Sequence, residues 1–256
     1  VNSIFFRTTE VNESGEIYLM GERVRGIIER NPWLFYAQGR PVKAAVEGLG
    51  RGTLLVSKVE KEFLVGQFIE SGELLERVPL VLSVAIPRPQ TIKKLIQLAG
   101  TVGLKELRFI KSDLGEKSYW ESKQLRPEVV EQEVIKSLEQ SWDSEPVKWS
   151  IWQSLSSLIN IRDVDYTWCA DTDGGEALDG ESGVVSVPKT GVVQVLIGPE
   201  AGWSLRERDY LTVMNVKKVG LGPRILRVET AASLIVGSLL EKLDRVENCS
   251  IKSSNL

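Results

Sequence analysis

The sequence predicts an α/β fold, a mostly parallel sheet covered by helices, preceded by a smaller β domain. Three observations carry that expectation. From Pro79 onward, short apolar runs alternate with segments of helical periodicity, the pattern of β-α units whose strands are buried on both faces. Residues 1–78 show only short strand-like runs punctuated by turns, apart from one helical stretch. The length of 256 residues, with 42% hydrophobic and 26% charged content, suits one large or two ordinary globular domains.

In the first segment SIFF, VKAAVE, TLLVSKVE and FLVGQFIE read as strands, and Arg23–Ile28 predicts a helix that Asn31-Pro32 ends. GLGRG at 48–52 lacks the GxGxxG spacing and a following helix, so it reads as a hairpin turn and not a phosphate loop. From Pro79, LVLSVAI (80–86) is a buried-strand run, and PRPQTIKKLIQLAGTVGL carries Ile92, Leu95, Ile96, Leu98 and Ala99 at helical spacing. ELRFI follows as a strand. A polar helix is expected over about 124–141 and a second over about 148–159, then DYTWCA as a strand and DTDGGEALDGESG (171–183) as a solvated acidic loop. VVQVLI, a helix from 204, the strand VKKVGLG and a last helix over about 227–245 complete the domain. The boundaries are 1–78, 79–246 and a frayed polar tail over 247–256.

Composition removes several classes of chemistry. There is no histidine, which excludes Ser-His-Asp and Cys-His nucleophiles, HExxH zinc sites and imidazole catalysis. Cys169 and Cys249 give neither a disulfide framework nor a zinc pattern, and both are expected as reduced thiols. The acidic loop fails the EF-hand pattern at Gly175 and Glu176, so no metal is expected. No apolar run is long enough to span a bilayer and the first residues lack the features of a secretory signal, so a cytoplasmic protein is expected. A net charge of −3 argues against a large sequence-independent nucleic-acid footprint but leaves room for a local patch.

Two loops stand out. Gly198-Pro199-Glu200-Ala201-Gly202 follows the apolar run VVQVLI and leads into Ser204-Leu205-Arg206-Glu207, an S-x-x-E capping box. Gly220 to Arg227 repeats that grammar, with Gly-x-Gly-Pro, arginines and Glu229 opening a helix rich in small residues. Loops at the carboxyl ends of parallel strands are where ligands bind. GLGPRILRVE is not a dinucleotide fingerprint, because Ile225 stands at its third glycine position.

Together IGPEAGWS, GLGPRILRVETAA and their spacing resemble the C-terminal signature of the ribosomal RNA small subunit methyltransferase E family, of the SPOUT class. The N-terminal IFFR and the small β domain fit more loosely. The resemblance implies a trefoil-knot methyltransferase domain with a parallel sheet, a PUA-like N-terminal β-barrel that binds RNA, S-adenosylmethionine as cofactor, and a homodimer. The implied reaction is methylation of N3 of a uridine in 16S rRNA, on free small-subunit RNA or the assembled subunit. Cofactor-lining residues carried over are Ile197, Gly198, Glu200, Gly202, Leu221, Gly222, Ile225, Leu226, Thr230 and Ala231, with Cys169, Ala170 and Asp171 as a third segment.

Such chemistry needs no histidine, because the sulfonium methyl is already electrophilic and the protein positions the uracil. A carboxylate to accept the N3 proton, or arginines to stabilise the anion, are required. Glu200, Arg224, Arg227 and Glu229 are the candidates, and an Arg227–Glu229 pair that only shapes the loop is an equal reading. Arg7, Arg23, Arg25 and Arg88 are the candidate RNA contacts. The chain departs from the family pattern at Ala201, in place of a second glycine, and at Trp142-Asp143, in place of Gly-Arg. Ribose 2′-O methylation, or a non-catalytic RNA-binding or ribosome-assembly protein, are the alternatives.

Overall fold

The structure, a computed structural model, describes residues 3–72, 74–161, 163–171, 176–177 and 191–242. The chain divides into two compact units. One holds the residues up to Glu76 with Gly100–Gly103 and Glu131–Val147; the other holds Arg77–Ala99, Leu104–Val130 and the chain from Lys148 onward.

The first unit begins with β1 (Ile4–Phe6), β2 (Glu16–Met20), α1 (Glu22–Arg30), β3 (Pro41–Val46), β4 (Gly50–Glu60) and β5 (Phe63–Glu70). The sheet order is β1-β3-β4-β5-β2, with β1 parallel to β3 and the other neighbours antiparallel. The expected closed barrel is not observed: β1 has three residues, all paired with β3, and it does not hydrogen-bond to β2 at the far edge. Alternation builds the core, since Ile17 and Leu19 of β2, Val42 and Ala44 of β3, Leu54 and Val56 of β4 and Leu64 of β5 point inward onto Val24 and Ile27 of α1. Strand β2 escapes a sequence reading because only these two inward residues mark it. Helix α1 ends at Asn31 before Pro32, as expected, and Gly48-Leu49 turns the chain from β3 into β4.

In chain order the remaining elements are β6 (Val78–Ala85), α2 (Pro89–Val102), β7 (Leu104–Ile110), α3 (Lys117–Trp120), α4 (Pro127–Ser141), β8 (Lys148–Trp152), α5 (Leu155–Ile159), β9 (Tyr166–Ala170), β10 (Glu176–Ala177), β11 (Val193–Ile197), α6 (Leu205–Val213), β12 (Lys217–Gly220) and α7 (Val228–Lys242). The second sheet runs β10-β12-β9-β11-β6-β7-β8, and every adjacent pair is parallel. Its central strands are the continuous apolar runs; all five residues of β11 are buried. Helices α5 and α6 cover one face through Leu155, Leu158, Ile159 and Leu211, packed on Cys169 and Leu196.

Two expectations are corrected here. Residues 148–159 are not one helix. Lys148–Trp152 is an edge strand paired with β7, which suits its Trp and Ile content, and Ser154 caps the short α5 through the Ser157 amide. The acidic loop contains a two-residue strand, Glu176–Ala177, paired with β12; its other residues after Asp171 lie outside the described ones, as do Cys249 and the polar tail.

Helix endings explain one departure from the family pattern. Helix α6 ends on Asn215 at φ +52°, with Val216 N donating to Leu211 O at 2.9 Å, a Schellman ending. Helix α4 ends the same way: Asp143 N donates to Leu138 O at 3.1 Å and Trp142 takes the left-handed position at φ 53°. Glycine fits that position best, and an L side chain there costs about 1–2 kcal/mol. Trp142 offsets the cost with contacts in its own unit. Its Nε1 donates to Ala44 O at 2.8 Å, Lys43 Nζ lies 4.6 Å over the ring, and Arg51 Cζ lies 5.0 Å from it.

Candidate functional site

The carboxyl ends of β9, β11 and β12 lie at one edge of the parallel sheet, and the two glycine-containing loops extend from the latter two. They enclose a cleft of about 230 Å³. The first loop contributes Ile197 through Trp203; the second contributes Leu221, Gly222, Arg224, Ile225 and Leu226. Ala170 and Asp171 form the floor, and Val228 and Ala231 of α7 complete the wall.

Each loop is built around one glycine that no other residue replaces without strain. Gly202 has φ +77° and its amide donates to Pro199 O at 2.8 Å, closing the turn. Gly222 has φ +97°, and a Cβ built there would meet nothing within 4 Å. Ala201 keeps a negative φ, so the second glycine of the family pattern is not required by the backbone at this position. The first loop is then pinned at the start of α6. Ser204 Oγ accepts from Glu207 N at 3.1 Å and Ser204 N donates to Glu207 Oε2 at 2.9 Å, the reciprocal box read from the sequence. Ser204 Oγ also donates to Asp113 at 2.6 Å, and Arg206 Nε bonds the same carboxylate at 3.0 Å. Bonds from Arg206 and Ser204 hold Asp113 below the usual carboxylate range.

Behind the loop, Trp203 is buried and its Nε1 donates to Cys169 Sγ at 3.2 Å. Burial pushes the Cys169 thiol up to about 12, so it stays protonated and acts as a packing and accepting group. Arg208 Nε donates to Trp203 O at 3.0 Å, which sets a guanidinium on the cleft wall. On the floor Asp171 has a side chain only 6% exposed, with Lys218 Nζ at 3.4 Å.

Of the residues expected from the sequence, Ile197, Gly198, Glu200, Gly202, Leu221, Gly222, Arg224, Ile225, Leu226 and Ala231 converge on the cleft. Cys169 stands one layer behind it, and Thr230 is exposed on α7 away from its lining. Arg227 is also exposed and outside the lining; its carbonyl accepts from Ala231 N at 2.8 Å to start α7. Glu229 does not pair with Arg227. Its carboxylate accepts from Lys94 Nζ at 3.0 Å and Thr91 Oγ1 at 3.4 Å. Its own backbone amide, then Lys94, holds its pKa below the usual range, which makes it a poor proton acceptor. Glu200 is exposed at the rim, with Arg88 Nε at 3.5 Å. Sequence reasoning did not single out Trp203, Arg208 or Val228: Trp203 and Val228 lie within the two motifs with nothing local to mark them as facing a cleft, and Arg208 stands one helical turn along α6 from its cap. Among the described residues no acidic or cysteine cluster could hold a metal ion.

The candidate RNA arginines of the first unit are committed to partners. Arg23 is bidentate to Glu10 and donates to Phe5 O at 3.0 Å, Arg25 pairs with Glu62 at 2.8 Å, and Arg7 pairs with Glu131.

Comparison with known proteins agrees with this geometry. A model of the RNA methyltransferase domain matches residues 75–240, more than half of the chain. The chain is 26% identical over 210 residues to the ribosomal RNA small subunit methyltransferase E of Treponema pallidum, covering 76% of this chain and 74% of that protein. It is 23% identical to ribosomal RNA small subunit methyltransferase E 1 of Borreliella burgdorferi, covering 72% and 78%. Its fold matches the crystal structure of the Neisseria gonorrhoeae methyltransferase E bound to S-adenosyl methionine, with TM-score 0.72 and 16% identity over 93% of this chain and 98% of that one. A putative Legionella pneumophila methyltransferase solved with bound SAM superposes at TM-score 0.74 and 17% identity, over 94% and 98%. The chain therefore belongs to the RNA methyltransferase domain family, and within it is similar to the ribosomal RNA small subunit methyltransferases E.

Proposed function

We propose that this protein transfers the methyl group of S-adenosylmethionine to N3 of a uridine in small-subunit ribosomal RNA. The observation that carries the reading is the cleft itself, formed where the two loops meet at the carboxyl edge of a parallel sheet. The residues present suit such a cofactor. Gly222 leaves open space where a side chain would stand, Leu226, Val228 and Ala231 offer an apolar wall for an adenine ring, and Asp171 offers a carboxylate for hydroxyl or ammonium groups. Bound there, the sulfonium supplies an already electrophilic methyl group.

The chain's own side chains then divide the remaining tasks. Arg224 lines the cleft and is exposed, placed to stabilise a uracil anion. Glu200 is the carboxylate that lines the cleft from the rim and is the candidate to accept the N3 proton, while Glu229 is held by Lys94 and Thr91 and positions α7. The first unit, read as a PUA-like module, would contact the RNA, with Arg88 near the cleft as a further contact. A homodimer fits the apolar side chains of Ile225 and Leu234, which are 89% and 48% exposed. The site of action would be the cytoplasm, where ribosomal subunits assemble.

Reverse-transcription mapping tests this reading. Small subunits from a strain lacking the gene are incubated with protein and S-adenosylmethionine. N3 methylation blocks the pairing edge and gives one new strong stop. A ribose methyl leaves no such stop, and transfer to no RNA at all would end the enzymatic reading.

A further inference from the structure

The outward face of the first unit's sheet carries an apolar and aromatic surface that its core does not use. Strand register places Tyr18 beside Val65 and Met20 beside Phe63, and Leu55 and Ile69 emerge on the same side. Tyr18 is 60% exposed, Met20 62%, Ile69 51% and Leu55 40%. Alternation explains why: the residues between them fill the core, so this face consists of side chains kept outward. Glu16 and Gln67 continue the row of Leu55 on this face, and the exposed apolar side chains around them form the kind of surface that marks an interaction site. The Tyr18 ring meets Phe63 edge-on, with centroids 5.1 Å apart at 85°, and Lys58 Nζ lies 5.3 Å over Phe63.

Charge identifies the occupant. On this face Lys43 lies across from Thr53 and Ile69, and Arg51 lies one pair further along. Both cations gather on Trp142, the residue that replaces glycine at the end of α4. Among the described residues neither Lys43 nor Arg51 pairs with a carboxylate, unlike Arg7, Arg23 and Arg25. Arg51 is half-buried and its Nε donates to Trp142 O at 2.6 Å, so its guanidinium is seated on the end of α4 and Lys43 is the exposed cation of the two. An aromatic surface leading to that positive edge suits a chain with planar apolar groups on an anionic backbone.

We propose that this face is a platform for single-stranded RNA. An unpaired base stacks on Tyr18, neighbouring bases lie over Leu55 and Ile69, and phosphates meet the positive edge at Lys43. The assignment rests on the proposed function in taking RNA as the substrate, and it moves the contact away from the arginines expected from sequence.

Fluorescence anisotropy with a labelled single-stranded RNA of about twelve nucleotides tests it on the full-length chain. Tyr18→Ala should weaken binding about tenfold, and Tyr18→Phe should restore it. Lys43→Glu should weaken binding and reduce the salt slope by about one. Both positions are exposed, so both variants should fold; Lys43→Glu also gives up the Lys43 contact with the Trp142 ring, so its unfolding midpoint is measured beside its affinity, and the milder Lys43→Gln should weaken RNA binding in the same direction. Unchanged affinity in Tyr18→Ala and Lys43→Glu overturns the proposal, as does a wild-type chain that binds no single-stranded RNA. A changed oligomeric state in light scattering, with RNA affinity retained, would show the face to be a self-contact and also overturns it. S-adenosylmethionine titrations on the same preparations separate the two claims. Retained cofactor binding with RNA affinity indifferent to these variants refutes only the platform, whereas wild-type protein that binds no cofactor refutes the methyltransferase reading.

Discussion

Gly198→Val probes how the first loop is built. A Cβ on residue 198 would stand 3.1 Å from Nε1, 3.2 Å from Cε2 and 3.4 Å from Cδ1 of Trp203. The indole has little room to retreat, being 4% exposed and bonded to Cys169 Sγ. Overpacking of this kind costs about 1–3 kcal/mol, and the branched carbons of valine add to the contact an alanine would make. Because Gly198 and Trp203 both line the cleft, relief by ring movement displaces its wall. Urea unfolding should therefore report a loss of about 1–3 kcal/mol, and calorimetry a fall in S-adenosylmethionine affinity of about tenfold or more. Trp203→Phe removes Nε1 and the ring edge that the new carbon would meet. In that background Gly198→Ala should be nearly silent, a coupling of about 1 kcal/mol between the two positions. Strictly additive losses, or a Gly198→Val protein that unfolds and binds like the wild type, would refute the packing argument.

Three further outcomes follow from the same geometry. Ala201→Gly should leave cofactor affinity within about twofold, since residue 201 has negative φ, while lowering stability by about 0.4–1 kcal/mol through unfolded-state entropy; a gain in affinity would show that the loop needs the missing glycine. Arg108→Met removes a buried guanidinium that bonds Glu106 Oε2 at 2.7 Å, Gln194 Oε1 at 3.1 Å and Asp163 Oδ1 at 3.0 Å, and should cost about 3–5 kcal/mol in urea unfolding; a neutral result would mean the network is dispensable. Glu229→Gln weakens the tie to Lys94 and Thr91 at the first turn of α7 and should cost about 0.3–1 kcal/mol at neutral pH. Because the folded state holds the Glu229 pKa below its ordinary 4.5, that contribution is fully present above pH 4.5 and disappears as pH falls through the lowered value. Equal destabilisation at low and neutral pH would contradict this.

Much of the second unit was legible because its signals are local. LVLSVAI and VVQVLI are buried on both faces and read as strands without context, and Ser204 with Glu207 marks the start of α6. The two loops could be found for the same reason, as glycines between a strand and a capped helix. What failed depends on partners distant in sequence. Lys148–Trp152 becomes a strand because β7 offers an edge, and Ser150 Oγ donates to Glu106 Oε1 at 2.8 Å. The end strands of the first sheet stay apart for a reason of pairing that no local pattern records. Glu229 looked catalytic from its place in the motif, yet Lys94 and Thr91 from α2 claim its carboxylate. Trp142 looked like a lost glycine, but the backbone ending survives with the indole held by Ala44, Lys43 and Arg51.

A crystal structure of the chain grown with S-adenosylmethionine tests the central claim most directly. Density for the cofactor between Gly198–Trp203 and Leu221–Val228, with its adenine against Leu226 and Ala231 and its ribose or ammonium within hydrogen-bond reach of Asp171, is the predicted result. Cofactor bound elsewhere on the chain, or a cleft left empty in saturating cofactor, would contradict the account.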